Sequence, residues 1–263
     1  MGKITLKTLD KMKTDGEKIA CLTAYDYTFA RILDTQGVDI QLVGDSLGMV
    51  LHGKTTTLNV SMADMIYHTR LVADGCHRGL IVADMPFMSY ASPSRALGNA
   101  ERLLREGGAE VVKLEGGAVI TGTVNHLSAR GIPVCAHLGL TPQSVHKLGG
   151  YHVQGRNKPG AATIQRDAMA LADAGAVMLV LECVPAKLAM EISRSLSIPV
   201  IGIGAGNQCD GQVLVLYDVL GMGERQPRLS HNFLTGHDSI ASAIKAYVDA
   251  VKSGVFPAEE HSF

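Results

Sequence analysis

Val111-Val112-Lys113-Leu114-Glu115-Gly116-Gly117 is a short apolar run that ends in two charged side chains and two glycines. Residues two apart on a strand point to the same face, so Lys113 and Glu115 project together. A lysine and a carboxylate at the end of an apolar strand are costly unless paired, metal-bound or functional. Three further runs end in the same way. Ile40-Gln41-Leu42-Val43-Gly44 delivers Asp45 and Ser46, Leu80-Ile81-Val82-Ala83 delivers Asp84, and Val177-Met178-Leu179-Val180-Leu181 delivers Glu182. The fold depends on whether these ends meet.

Working outward, the apolar runs alternate with helical patterns. A strand over 19–25 precedes a helix from Tyr27 to Thr35, capped by Asp26 and stopped by Gly37. Helices are predicted over 61–75, from Pro93 to 107, over about 119–129, 164–174, 185–196 and 239–252. Further strands are predicted over 134–139, which carries His137, over 200–206 and over 212–217. Near the N-terminus, Ile4, Leu6, Leu9 and Met12 have the spacing of a short amphipathic helix. It can plug the underside of the domain, pack on a neighbour, or remain a solvated arm. Two connections are long for their place, 48–59 and 140–163, and both read as ordered functional loops.

Short continuous apolar strands separated by helices imply a parallel sheet covered on both faces. Eight such units predict an α/β fold, a (β/α)8 TIM barrel with an N-terminal helical extension, as a single domain over residues 1–263. The rival is a doubly wound open sheet. It would place a Gly-x-Gly signal after the first strand, whereas here the glycines fall late, at Gly202, Gly204 and Gly206. Those glycines suit either a phosphate cradle or close backbone packing. The length, 263 residues with 46 % hydrophobic content, suits such a barrel. A net charge of −1 gives no basic footprint for nucleic acid, and the absence of tryptophan argues against stacking as the main recognition mode. Five widely spaced cysteines without a Cys-x-x-Cys point to reduced, cytoplasmic usage. No signal peptide or membrane span is expected.

Barrel active sites lie at the C-terminal strand ends. Asp45, Asp84, Lys113, Glu115, His137 and Glu182 all fall there. Singly, each acid could cap a loop or helix, and the cluster could be a salt-bridge network around Lys113. Jointly, Asp45, Asp84 and Glu115 sit on adjacent strands and suit Mg2+, a hard cation that takes carboxylate oxygens and retains waters. Zinc suits them less. Glu182, flanked by Leu181 and Cys183, is expected across the mouth in an apolar setting that suits a general base. Lys113 can bind an anionic group or balance a developing enolate, and His137 can donate a hydrogen bond to substrate.

Several stretches together resemble the ketopantoate (3-methyl-2-oxobutanoate) hydroxymethyltransferase family. They are 42–48 (LVGDSLG), 83–87 (ADMPF), 113–117 (KLEGG), 137–144 (HLGLTPQS), 149–151 (GGY), 181–185 (LECVP), 202–206 (GIGAG) and 259–263 (EEHSF). The resemblance implies transfer of a hydroxymethyl group from 5,10-methylenetetrahydrofolate to 3-methyl-2-oxobutanoate, the committed step towards pantothenate. It implies Asp45 and Asp84 as direct Mg2+ ligands and Glu115 as a further ligand, directly or through water. Ser46 and Lys113 would contact the keto acid, and Glu182 would be the base. It also implies a homo-oligomer, commonly a decamer of stacked rings. The chain departs from the usual pattern at Asn59, at Ala136 and over 225–231, none of which is an expected ligand. Two other readings remain open on the residues. One is another Mg2+-enolate barrel enzyme of the phosphoenolpyruvate mutase and isocitrate lyase kind. The other is a non-catalytic small-molecule binding protein.

Overall fold

Strands that are apolar on both faces need cover inside and outside, and a closed barrel supplies both. In the computed structural model, which describes residues 2–263, eight parallel strands pair in chain order and close, β1 against β8. They are β1 (Ile19–Thr23), β2 (Ile40–Val43), β3 (Leu80–Asp84), β4 (Val111–Glu115), β5 (Val134–Gly139), β6 (Met178–Glu182), β7 (Val200–Ile203) and β8 (Gly211–Leu214). The longer helices are α1 (Leu6–Asp15), α2 (Tyr27–Thr35), α3 (Met62–Gly75), α4 (Pro93–Arg105), α5 (Thr121–Ser128), α6 (Lys158–Asp173), α7 (Ala186–Ser195) and α8 (Ile240–Lys252).

The period of two along each strand divides the core into two shells. Val112, Leu114, Ala136, Leu179 and Leu181 face outward into the layer packed by the helices. Ile19, Ile40, Val82, Val111, Cys135, Met178 and Ile201 face inward. By the same alternation, Asp84, Lys113, Glu115, His137 and Glu182 continue the inward rows at their upper ends. In register, Asp84 pairs with Lys113 and Glu115 pairs with His137. Of the three uses open to the N-terminal helix, the structure selects the plug. Ile4, Leu9 and Met12 are buried against the inner rows, and Lys13 Nζ contacts Asp210 Oδ2 at 2.5 Å. The barrel is sealed below and open above. Helix α8 closes the seam, with the Tyr247 hydroxyl within 2.9 Å of the Cys21 carbonyl and 3.0 Å of the Gln212 carbonyl.

Several boundaries differ from the sequence expectation. Helix α6 starts at Lys158 instead of 164. Asn157 Oδ1 accepts the Gly160 N–H at 2.8 Å, and Pro159 sits in the first turn, where a missing donor costs nothing. Strand β8 ends at Leu214, before the predicted 217. The Thr23 hydroxyl takes the Leu216 N–H at 2.9 Å and turns the chain into the short helix Leu216–Val219. Strand β7 ends at Ile203, before the predicted 206, and no helix lies between it and β8. All five cysteines are unpaired and buried, and among the described residues no helix is long and apolar enough to cross a membrane.

Candidate active site

The open end of the barrel holds a cavity of about 170 Å³. Asp45, Ser46, Asp84, Lys113, Glu115, His137 and Glu182 all line it, so the structure brings every expected site residue together. Leu42, Val180, Ile203, Val213 and Leu214 add an apolar part to the lining.

Polar contacts run continuously around the acids. Asp84 Oδ2 accepts the Asp45 backbone N–H at 3.0 Å, while Oδ1 lies 2.8 Å from Lys113 Nζ. Asp45 Oδ2 accepts a hydrogen bond from Gln143 Nε2 at 2.8 Å. Glu115 Oε2 accepts the Gln143 backbone N–H at 3.0 Å, and Oε1 lies 3.4 Å from His137 Nδ1. His137 Nε2 is 3.2 Å from Glu182 Oε2, at ion-pair distance but off the axis of a hydrogen bond. The Ser46 hydroxyl shares a hydrogen bond with the Tyr25 hydroxyl at 2.9 Å.

Charge is crowded here, and the groups that carry it are buried. Burial, then the charges of Asp84 and Glu115, raise the Asp45 carboxyl well above the usual range. Burial disfavours the Lys113 ammonium, but Asp84, Glu115 and Asp45 outweigh it and hold the amine charged. Burial also opposes ionisation of Glu115. Contact with His137, together with Lys113 and the Gln143 N–H, prevails and lowers its pKa. Burial and Lys113 oppose a charged imidazole at His137, yet Glu115 and Glu182 carry it up to about 9.

The surroundings of Glu182 correct the expectation. Its flanking Leu181 points into the outer shell, as the alternation of a strand requires. The Glu182 side chain instead turns inward against His137 on the adjacent strand. The strand ends there, and Cys183 takes φ +46°, a left-handed conformation rare for a residue with a Cβ. The late glycines also resolve towards close packing. A Cβ on Gly204 would meet the Phe263 ring at 3.0 Å, and one on Gly206 would meet Ala186 Cβ at 2.6 Å.

Among the described residues, no three or more His, Cys, Asp or Glu side chains are grouped so that together they could hold a metal ion. The donors do fit a cation that keeps most of its water. Asp45 and Asp84 offer two hard oxygen donors, Asp84 Oδ1 is buried without an aligned hydrogen bond, and Asp45 bears repulsion that a cation would relieve. Glu115, tied to Gln143 and His137, is placed for a contact through water. Thiolate and paired imidazole donors, which zinc favours, are missing from the cluster. Sequence reasoning gave no role to Gln143, Tyr90 or Tyr25. They lie in loops, and nothing in local spacing shows that they reach the acids.

The model of the ketopantoate hydroxymethyltransferase family matches residues 3–259. The chain belongs to the ketopantoate hydroxymethyltransferase family. It is therefore a transferase. A 3-methyl-2-oxobutanoate hydroxymethyltransferase of Nitrosococcus oceani is 59 % identical over 264 residues, covering 100 % of both chains. One from Thiobacillus denitrificans is 58 % identical, covering 99 % of each. Among solved structures, a phosphonopyruvate hydrolase in complex with oxalate and Mg2+ superposes with a TM-score of 0.61 at 13 % identity, covering 82 % of this chain and 81 % of that one. A 2,3-dimethylmalate lyase of the PEP mutase/isocitrate lyase superfamily superposes at 0.58 and 17 % identity, covering 81 % of each. At such identity the likeness shows a shared barrel fold alone.

Proposed function

We propose that this member of the family transfers a hydroxymethyl group from 5,10-methylenetetrahydrofolate to 3-methyl-2-oxobutanoate. The products are 2-dehydropantoate and tetrahydrofolate, in the first step of pantoate and pantothenate formation. The observation that carries the reading is one cavity with a mixed lining. Three carboxylates, Lys113, His137 and Glu182 share it with apolar side chains suited to a branched alkyl group. Asp45 and Asp84, with Glu115 in the next layer, would hold Mg2+, which would supply Lewis acidity to a bound 2-oxo acid.

The residues do the rest. Lys113 offsets the negative charge of the keto acid and of the enolate formed from it. Ser46, and His137 through a ring N–H, donate hydrogen bonds to substrate oxygens. Glu182, with its side chain 16 % exposed, is the most open of the inward acids and reaches the C3 proton. It takes that proton, and the C–H electron pair becomes the enolate. The enolate carbon then bonds to the folate methylene carbon, that methylene gives up both of its bonds to folate nitrogens, one water supplies its hydroxyl, and the proton taken by Glu182 and the proton released by the water go to the two nitrogens. Turnover of 3-methyl-2-oxobutanoate in the presence of methylenetetrahydrofolate and Mg2+, followed as 2-dehydropantoate, tests this. Turnover that persists without folate, or undiminished in chelator, would sink it. The fold neighbours of the PEP mutase and isocitrate lyase kind keep the alternative Mg2+-enolate chemistry in view, and the folate requirement separates the two. Homo-oligomerisation, as a decamer, is the further expectation for this chain, and light scattering tests it.

A further inference from the structure

Gln143 lies in the loop after β5, in the short 3-10 turn Pro142–Ser144, and is 6 % exposed. It meets acids from two other strands. Its Nε2 donates to Asp45 Oδ2 at 2.8 Å and to the Met85 carbonyl at 2.9 Å. Its backbone N–H donates to Glu115 Oε2 at 3.0 Å. Its Oε1 accepts from the Tyr90 hydroxyl at 2.6 Å, and that hydroxyl accepts the Glu115 N–H at 3.3 Å.

This set fixes the amide in one sense. Rotated by half a turn, Gln143 would face a carbonyl oxygen towards a carboxylate and a second carbonyl, and its NH2 towards a hydroxyl already receiving an N–H. The effect on the acids is common to all three. Asp45, Asp84 and Glu115 each have one oxygen tied by a protein N–H, and the other is left for cations. Two of those three ties come from Gln143.

We propose that Gln143 is a positioning residue: its amide and its backbone N–H orient the carboxylates of Asp45 and Glu115 for a divalent cation and the substrate that shares it. The inference rests on the metal reading given under Proposed function. Tyr90 acts one step further out, by holding the amide in its working sense.

The test is Mn2+ binding to the purified protein, read by electron paramagnetic resonance, with thermal unfolding alongside. Gln143→Met keeps the length and removes the side-chain donors. Binding is expected to weaken about 10- to 100-fold, the usual effect of losing a residue that orients a metal ligand. Saturating Mn2+ should return kcat to within a few-fold of wild type, a split between metal affinity and kcat that a merely structural residue would not show. Tyr90→Phe should weaken Mn2+ binding in the same direction by a smaller factor. Gln143→Met that binds Mn2+ within twofold of wild type, while Asp84→Ala loses it, overturns the role of Gln143. So does a kcat that stays depressed at saturating Mn2+ with unchanged affinity. Should Gln143→Met fail to fold, Tyr90→Phe decides, and unchanged affinity there overturns the inference. Wild-type protein that binds no Mn2+ brings down the metal reading itself, and the inference with it.

Discussion

Lys113→Met removes the single amine from a buried set of acids while keeping most of the aliphatic stem. Lys113 is 5 % exposed, and its Nζ lies 2.8 Å from Asp84 Oδ1. Asp84, Glu115 and Asp45 all act on its charge. Deleting one partner of a buried pair leaves the other charge uncompensated, at a cost of about 3–5 kcal/mol. In a chain of this size each kcal/mol lowers Tm by roughly 2–4 °C, so the variant should unfold about 6–20 °C below wild type in chelator. A divalent cation held by Asp45 and Asp84, as proposed above, would replace part of the missing positive charge. Added Mg2+ should therefore raise the Tm of Lys113→Met by more than it raises that of wild type. Calorimetry or dye-monitored unfolding, in chelator and in excess Mg2+, reads both effects. A Tm in chelator within about 2 °C of wild type would refute the picture of Lys113 as the charge that holds the acids together.

Two further substitutions probe the frame around the site. Gly139 has φ +89°, and a Cβ there would lie 2.1 Å from the Glu182 carbonyl. Gly139→Ala should cost at least ~2 kcal/mol and lower kcat by shifting Glu182, and unchanged unfolding and activity would contradict it. Burial pushes the Asp218 carboxyl up to about 6 from 3.8. The folded state then binds the proton more tightly than the unfolded chain, so its contribution is full below 3.8 and is lost as pH rises through 6. Asp218→Asn should be more stable than wild type by ~1–2 kcal/mol at pH 8, once screening of this half-buried group is allowed for, and should show no such gain near pH 4. Equal gains at both pH values would show that the carboxylate charge is not the cause.

Much of this was legible in the residues because strand periodicity carries it. Lys113 and Glu115 share a face with Val111, and once eight apolar strands imply a closed barrel, that face can only be the interior. The same rule places Asp84, His137 and Glu182 at the mouth. Sequence neighbours misdirect the reading of Glu182, because by the same alternation Leu181 faces away, and His137 from β5 is the real contact. Short-range signals failed where a distant partner intervenes. The Thr23 hydroxyl ends β8 from 193 residues away in sequence, and Gln143 reaches Asp45 across 98. The start of α6 was missed because Pro159 and Gly160 read as loop, although both are at home in a first turn.

The central claim is that Glu182 takes the C3 proton of the keto acid. Proton NMR of 3-methyl-2-oxobutanoate in deuterated water, with enzyme and Mg2+ but no folate, tests it most directly. The account predicts loss of the C3 proton signal with wild-type enzyme, and none with Glu182→Gln even though that variant still binds the keto acid. Exchange at the wild-type rate in Glu182→Gln would contradict it.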